Sequence, residues 1–399
     1  MRETCWLASV LLEPCTGKLV RTVLRGLGGR NPTRLPDNFG LALRRDAYQE
    51  RGVTLRYKDT SAALTVLKRQ EETAWLRDVS CVPLQQTLRH LDTAFTNFFE
   101  SCRGGRTYGY PRFKQKHDRQ SATFTRRAFR YTPPSTDGSG SGLPKLRLAK
   151  MQAPLDVRWS RIPPSMPSTV TVSRDGAGRY FASLLCEVEP EPLPPARSPD
   201  GAEKAVGVDL GLTDLIVTSD GWKSGNPKFL EKDLHRLRKA QRRLARCQIG
   251  SKRYEKQRRK VARIHARIRE KRQDYLHKLS TRLIRENQTV CLETLNVRGL
   301  MKNRVLARAV SSASWSAFAE QLEYKARRYG RTVAKVGLFE PTSKRCSNCN
   351  HIVSKLPLEV RTWTCERCGA THDRDVNAAR NILAAGQAVC AETGRLAAP

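Results

Sequence analysis

Two pairs of cysteines constrain this 399-residue chain more than any other feature. Cys346 and Cys349 form one C-x2-C turn, Cys365 and Cys368 form another, and fifteen residues separate them. Two intervening residues let a tight turn aim both sulfurs at one ion, and two such turns complete a tetrahedron of thiolates. The residue after each second cysteine should then tolerate a left-handed backbone, and Asn350 and Gly369 suit that conformation. The expectation is a zinc ribbon over 343–370 that holds Zn2+ through four cysteines. Four thiolates leave no open position for substrate, so the ion is expected to be structural. Disulfides are the alternative for twelve cysteines. The other cysteines are scattered, however, and this clustering fits a reducing compartment with a metal site. His351 and His372 could replace a thiolate, though nothing requires it.

Charge is the second constraint. Lys and Arg number 73 against 38 Asp and Glu, a net charge of +35. Such a charge repels itself in a compact fold unless something neutralises it, and phosphate backbone is the common neutraliser. No apolar run is long enough to span a bilayer. The short run 6–15 resembles a signal sequence only weakly. The expected location is cytoplasmic, at the nucleoid of a prokaryotic-type cell, without a membrane partner. Residues 228–286 alone carry 22 Lys and Arg against six Asp and Glu. Leu230, Leu234, Leu237, Leu244, Tyr254, Val261, Ile264, Ile268 and Tyr275 recur there at helical spacing, interrupted by Ile249-Gly250-Ser251. This predicts two long antiparallel helices with a thin apolar seam and cations along a nucleic-acid backbone. Arg242, Arg243, Arg258 and Arg259 are candidate contacts, and an ordinary solvated hairpin is the alternative. In 108–125, aromatics interleave with Arg112, Lys114, Lys116 and Arg119. Such a segment can stack on bases while its cations meet phosphates. A basic loop with a few anchoring aromatics explains it equally well.

The rest of the chain divides by pattern. Residues 1–37 read poorly and end in a Gly-, Pro- and Asn-rich loop. Periodicity is helical from about Phe39 to Glu100, where Leu84, Leu88, Leu91, Phe95 and Phe98 define one apolar face. Residues 135–142 read as a flexible insert. Residues 169–189 form a hairpin turning at Asp175-Gly176. The Pro-rich stretch 190–203 reads as a stiff linker to a domain starting at Lys204.

Three acids stand in unusual settings. In 205–221, Val206 and Val208 alternate with Gly207 and Asp209, and Ile216 and Val217 follow, which reads as strand, turn, strand. An aspartate within a strand is disfavoured. If buried and ionised it needs a partner that offsets lost hydration, and a metal ion is one. Alternatively Asp209 ends the strand and accepts turn amides. Glu293 follows Leu292 in another short apolar strand, where a strand-end salt bridge is the alternative. Asp375 precedes Asn377, Ala378, Ala379, Asn381 and Ile382, whose small residues suggest a helix packed closely on a sheet. Asp373 or Asp375 could instead be an N-cap. Converging carboxylates can hold two divalent cations that stabilise the attacking and departing oxygens of a phosphodiester. Magnesium prefers such oxygen donors.

The stretches GVDLGL (207–212), CLETLNV (291–297), PTSKRCSNCN (341–350), WTCERCG (363–369) and DRDVNAARNIL (373–383) resemble the TnpB proteins encoded by insertion sequences, relatives of type V CRISPR effectors. The resemblance spans roughly 38–390. It implies a RuvC-like nuclease domain of RNase H fold interrupted by a zinc ribbon. It implies catalytic roles for Asp209, Glu293 and Asp375, the last because the family's aspartate lies two residues before the Asn-Ala-Ala stretch. It also implies a guide RNA from the transposon end and a double-stranded DNA target recognised by pairing beside a short protein-read motif. The family opens with a β-strand of pattern Lys-x-Tyr/Phe-Arg-Leu/Ile-Tyr-Pro. Residues 1–37 lack that pattern; a divergent, a truncated and a frame-shifted start are the alternatives, and loss of the strand would leave the barrel incomplete.

The expected fold is therefore a multidomain α+β protein: an N-terminal β-barrel and helical region plus an RNase H-like (RuvC) α/β domain with an inserted zinc ribbon. The expected divisions are an atypical N-terminus (1–37), a helical recognition region (38–130), and a β-rich barrel segment with Pro-rich linker (131–203). There follow a RuvC-like domain (204–342) with its basic hairpin (228–286), the ribbon (343–370), and the third motif with a tail (371–399). The expected activity is RNA-guided, Mg2+-dependent DNA cleavage serving a mobile element. A strand-joining transposase and a catalytically silent RNA-guided regulator are the alternatives.

Overall fold

The computed structural model describes residues 5–12, 34–104, 108–115, 120–134, 142–338 and 340–392, with 5–12 and 34–35 described by backbone alone. Lys116, Arg119 and most of the expected insert at 135–142 lie outside these residues. The chain divides into two compact units, Met1–Glu189 and Pro190–Pro399.

The first unit combines helices and antiparallel strands. Strand β1 (Cys5–Leu12) precedes helices α1 (Arg34–Arg51), α2 (Tyr57–Leu67) and α3 (Cys81–Cys102). Ser80 caps α3 by accepting from the Val82 amide. Leu84, Leu88, Leu91 and Phe95 are buried along α3, as their spacing predicts. Strands β2 (Gln120–Thr125), β3 (Phe129–Thr132), β4 (Lys145–Leu148), β5 (Val157–Arg158), β6 (Thr169–Arg174) and β7 (Tyr180–Glu187) follow. Five strands form one sheet in the order β2-β6-β7-β1-β5, and β3 and β4 form a second. Phe124, Leu146, Leu148, Val170, Val172 and Leu184 belong to one core shared by the two sheets.

Three expectations are corrected here. Strands begin at Gln120, inside the region read as helical to 130. The first strand is not missing: β1 pairs with β7 from Cys5–Glu187 to Leu12–Tyr180, and its end pairs with β5. Backbone pairing asks only for an extended stretch, which CWLASVLL supplies without the family's side-chain pattern. The Pro-rich stretch 190–203 is not a detached linker, because it is bonded to the second unit. Leu193 N–H donates to Tyr329 O at 3.1 Å, and Arg331 Nη2 donates to Pro194 O at 2.7 Å.

The second unit is built on strands β8 (Ala205–Leu210) and β9 (Ile216–Thr218) and a helical hairpin of α4 (Phe229–Ala245) and α5 (Lys252–Glu286). Then come β10 (Thr289–Glu293), α6 (Val297–Leu300), α7 (Ala307–Ala313), α8 (Trp315–Tyr329) and β11 (Thr332–Val336). Strands β12 (Thr362–Thr364) and β13 (Thr371–Asp373) form a separate pair before the last helix, α9 (Arg374–Glu392). The main sheet has the order β11-β10-β8-β9, with β10 parallel to both neighbours and β9 antiparallel to β8. Parallel pairing next to intervening helices gives strands buried on both faces. The even-numbered Val206, Val208, Val290 and Leu292 join the core with Leu279, Leu283, Ile284, Phe318 and Leu322 of α5 and α8. The odd-numbered Cys291 instead meets Ile382 and Cys390 of α9. Alternation along the strands therefore places Asp209 and Glu293 on the α9 face.

Helix α9 can lie this close only because a glycine stands on each side of the contact, Gly207 on the sheet and Gly386 on the helix. A Cβ on Gly207 would stand 2.0 Å from the Ala379 carbonyl oxygen, and one on Gly386 would stand 2.4 Å from Cys291 Sγ. The hairpin forms as its pattern predicts, with Leu237, Ala240, Ile264 and Ile268 in the seam. Ser251 caps α5 by accepting from the Tyr254 amide at 3.0 Å. Among the described residues no helix is long and apolar enough to cross a membrane. Gly207→Ala should push α9 off the sheet and lower the urea unfolding midpoint, by about 1–3 kcal/mol of stability. An unchanged midpoint would contradict the close approach.

Candidate catalytic carboxylates and zinc-ligand cluster

Register brings the first two acids together. Val208 pairs with Leu292 in the parallel ladder of β8 and β10, so Asp209 and Glu293 are the next residues on adjacent strands and share a face. The Leu210 amide donates to Glu293 Oε1 at 3.2 Å, which turns that carboxylate toward β8. Asp375 sits in the first turn of α9. Positions 375, 379, 382 and 386 lie along one helical stripe, and the buried Ala379, Ile382 and Gly386 fix that stripe against the sheet.

The electrostatics register this convergence. Burial raises the Asp209 pKa well above the ordinary carboxylate range, and the neighbouring Glu293 and Asp375 carboxylates raise it further. Arg374 and Arg361 oppose the shift. Burial raises Glu293 to about 7, opposed by the Leu210 amide. The oxygens of the three acids do not all fall within 4.8 Å of one another, and among the described residues the four cysteines are the one set that does.

Asp373 has a different role from Asp375. It caps α9, accepting from the Asp375 and Val376 amides at 3.1 and 3.0 Å. It also pairs with Lys223 Nζ at 2.7 Å. Arg361 was not anticipated from sequence. Its Nη1 lies 3.4 and 3.5 Å from the two Asp375 oxygens. It lies between the two cysteine pairs, where spacing carries no sign of such a reach.

The four cysteine sulfurs all lie within 4.8 Å of one another. Cys346 and Cys368 are 3.7 Å apart and Cys349 and Cys365 are 3.6 Å apart. A tetrahedron with zinc–sulfur bonds of about 2.3 Å has edges of about 3.8 Å, so the donors fit zinc. These separations far exceed the ~2.05 Å of a disulfide. Asn350 and Gly369 adopt φ of 61° and 71°, the left-handed turns expected from sequence. The amides of Asn350 and Gly369 donate back to the Cys346 and Cys365 carbonyls, each at 2.9 Å. His372 lies outside the four-donor set. Its Nε2 is 3.0 Å from Cys346 Sγ, placed to donate to a thiolate and orient it. Burial, with Arg380 nearby, holds His372 below its usual pKa. His351 contributes its carbonyl, which accepts from the Cys346 amide at 2.8 Å.

Of the nucleic-acid candidates, Arg242, Arg243 and Arg259 are exposed on the hairpin. Arg258 is paired with Glu255 at 3.1 Å. In the first unit, Arg112 is exposed, while Lys114 forms an ion pair with Asp37. The Lys114 amide also donates to Asn38 Oδ1 at 2.8 Å. Tyr110 packs edge-on against Phe95 and Phe98, with ring centroids 5.5 and 5.4 Å apart. Segment 108–115 is thus anchored by several of the groups that suggested base stacking.

The OrfB_IS605 family model, described as "Probable transposase", matches residues 183–304, and that of the Cas12f1-like TNB domain matches residues 315–382. A Streptomyces pristinaespiralis protein named "Putative RNA-guided DNA endonuclease" is 51% identical over 361 residues, covering 90% of this chain and 84% of that protein. An Escherichia coli K12 protein, "Putative RNA-guided DNA endonuclease InsQ", is 31% identical over 374 residues, covering 89% of this chain and 86% of that protein. The solved Cas12f1–sgRNA–target DNA complex aligns with 96% of this chain and 99% of that one, at a TM-score of 0.48 and 15% identity. With half its residues identical to a relative over nine-tenths of its length, this chain belongs to the TnpB (OrfB_IS605) family.

Proposed function

We propose that this chain is a transposon-associated, RNA-guided DNA endonuclease that hydrolyses phosphodiester bonds with Asp209, Glu293 and Asp375. The observation that carries the reading is the convergence of these acids from three separate elements, strong enough for each neighbour to raise the Asp209 pKa. A structural site would not gather three mutually repelling carboxylates in a chain with a net charge of +35, where cationic partners are plentiful.

The donor set suits divalent cations. Three carboxylates offer hard oxygens, the ligands magnesium favours. Asp209, Glu293 and Asp375 would share these cations between them, so their oxygens need not all crowd within one 4.8 Å shell. When bound, the cations supply Lewis-acid stabilisation of the attacking and departing oxygens. Asp209 and Glu293 hold their carboxylates on adjacent rigid strands, and α9 presents Asp375 opposite them. Asp209 and Glu293 are largely buried, so their charges act at reduced dielectric. The four cysteines would hold Zn2+ as a closed structural site. Arg242, Arg243 and Arg259 would meet the backbone of the guide RNA or heteroduplex, with Arg112 and Lys116 on the other basic segment.

Asp209→Ala should lower cleavage of guide-matched double-stranded DNA at least about a thousandfold while leaving guide RNA binding near the parent level. Parent-rate cutting by the variant would overturn the assignment. Products with strands joined rather than released would favour a transposase. A second test concerns pH. A carboxyl whose pKa rises on folding binds its proton more tightly in the folded state. Its stability contribution is fully present below the unfolded value of 4.5 for Glu293 and is lost as pH climbs through about 7. The metal-free protein should thus lose melting temperature across this window more than Glu293→Gln does, and Mg2+ should restore it chiefly above pH 7. Parallel curves for the two proteins would contradict the raised carboxyl.

A further inference from the structure

The end of α9 that carries Asp375 is bolted to the cysteine ribbon through side chains that the catalytic reading does not use. Asn377 and Asn381 are buried polar residues with 1% and 6% exposure. The Ser347 amide donates to Asn377 Oδ1 at 2.9 Å, and Asn377 Nδ2 donates to Arg345 O at 2.7 Å. Asn381 Nδ2 donates to both Thr342 O and Arg345 O at 2.7 Å. Of these partners, Arg345 and Ser347 flank Cys346, the first cysteine of the cluster. Two residues along a helix turn the side chain by about 200°, so Asn377 projects opposite Asp375, and Asn381 lies one turn above Asn377. The same helix thus presents its carboxylate toward the sheet and its amides toward the ribbon.

Other bonds close the same junction. The Arg374 amide donates to Arg361 O at 2.8 Å, and Arg374 Nη1 donates to Pro357 O at 2.6 Å. Strand β13, which leads into α9, pairs Thr371 with Thr364 and His372 with Trp363 of the ribbon. His372 in turn touches Cys346 Sγ. The first cysteine turn therefore reaches Asp375 through two short routes: the asparagine pair on α9, and His372 followed by the Asp373 cap.

We infer that Asn377 and Asn381 are positioning residues that transmit the folded state of the four-cysteine ribbon to Asp375, so that zinc ligation in the ribbon sets the affinity of the carboxylate pocket for divalent cations. This rests on the proposed carboxylate site. Orienting residues one step behind a metal ligand typically change metal affinity by about 10–100-fold when removed. Here the ribbon acts from farther away, through a rigid helix end.

The test is Mn2+ binding to the full chain, measured by electron paramagnetic resonance or calorimetry at pH 8, with zinc content determined in parallel. Asn377→Ala should keep one zinc per chain and weaken Mn2+ binding about tenfold. Cys365→Ser, which releases the zinc, should weaken it at least as much. A stability-only role for Asn377 would lower the melting temperature and leave Mn2+ affinity unchanged, and that result overturns the inference. Unchanged Mn2+ affinity in zinc-depleted Cys365→Ser overturns it as well. If Asn377→Ala does not fold, Asn381→Ala decides by the same two measurements. Mn2+ binding is read without cleavage, so failure of this coupling and failure of the nuclease reading are distinguishable: Asp209→Ala tests the second.

Discussion

Carboxylates crowded in a partly dry pocket repel one another, and the second unit is organised around holding three of them against that repulsion. Asp209 bears the cost most plainly: burial, Glu293 and Asp375 all favour its protonated form. Holding such groups in place requires backbone that cannot relax away. The parallel ladder of β8 and β10 fixes two acids in register. Helix α9 fixes the third by lying against the sheet at Gly207 and Gly386, where any larger side chain would collide with backbone or with Cys291.

The sheet separates two tasks. Even-numbered side chains of β8 and β10 join α5 and α8 in an apolar core, while Cys291 of β10, with Ala334 and Val336 of β11, faces α9. Helix α5 extends beyond that core into the basic hairpin, so the element that buries the sheet also carries exposed cations such as Arg259. On the other face, the cysteine ribbon closes over the start of α9. Its four cysteine sulfurs lie within 4.8 Å of one another, and hydrogen bonds at Asn377, Asn381, Arg374 and His372 join this cluster to the helix. The fold thus ties the four-cysteine cluster to the helix that carries the last of the three acids.

Much of this was legible in sequence, where one short pattern carried the information. The C-x2-C pairs, with Asn350 and Gly369 after them, specified the ribbon turns because the chelate demands that geometry. Asp209 and Glu293 stood out because a carboxylate within an apolar strand conflicts with local propensity. The small residues after Asp375 signalled close helix–sheet packing. What escaped depended on long-range partners. Strand β1 pairs through its backbone, so its side-chain pattern was a poor guide. The prolines of 190–203 suggested a linker, yet the carbonyls of Leu193 and Pro194 accept hydrogen bonds from Arg331. Lys114 looked available for phosphate until Asp37 was placed beside it. Arg361 carried no signal at all. Asn377 and Asn381 did carry one, since two asparagines four apart on an otherwise alanine-rich helix imply specific acceptors on that face.

The most direct test of the shared carboxylate site is anomalous scattering from a crystal of the chain soaked in Mn2+. The account expects two manganese peaks about 3.5–4 Å apart, with Asp209, Glu293 and Asp375 each supplying at least one oxygen ligand. Manganese bound without Asp375, or no manganese at this end of the sheet, would contradict it.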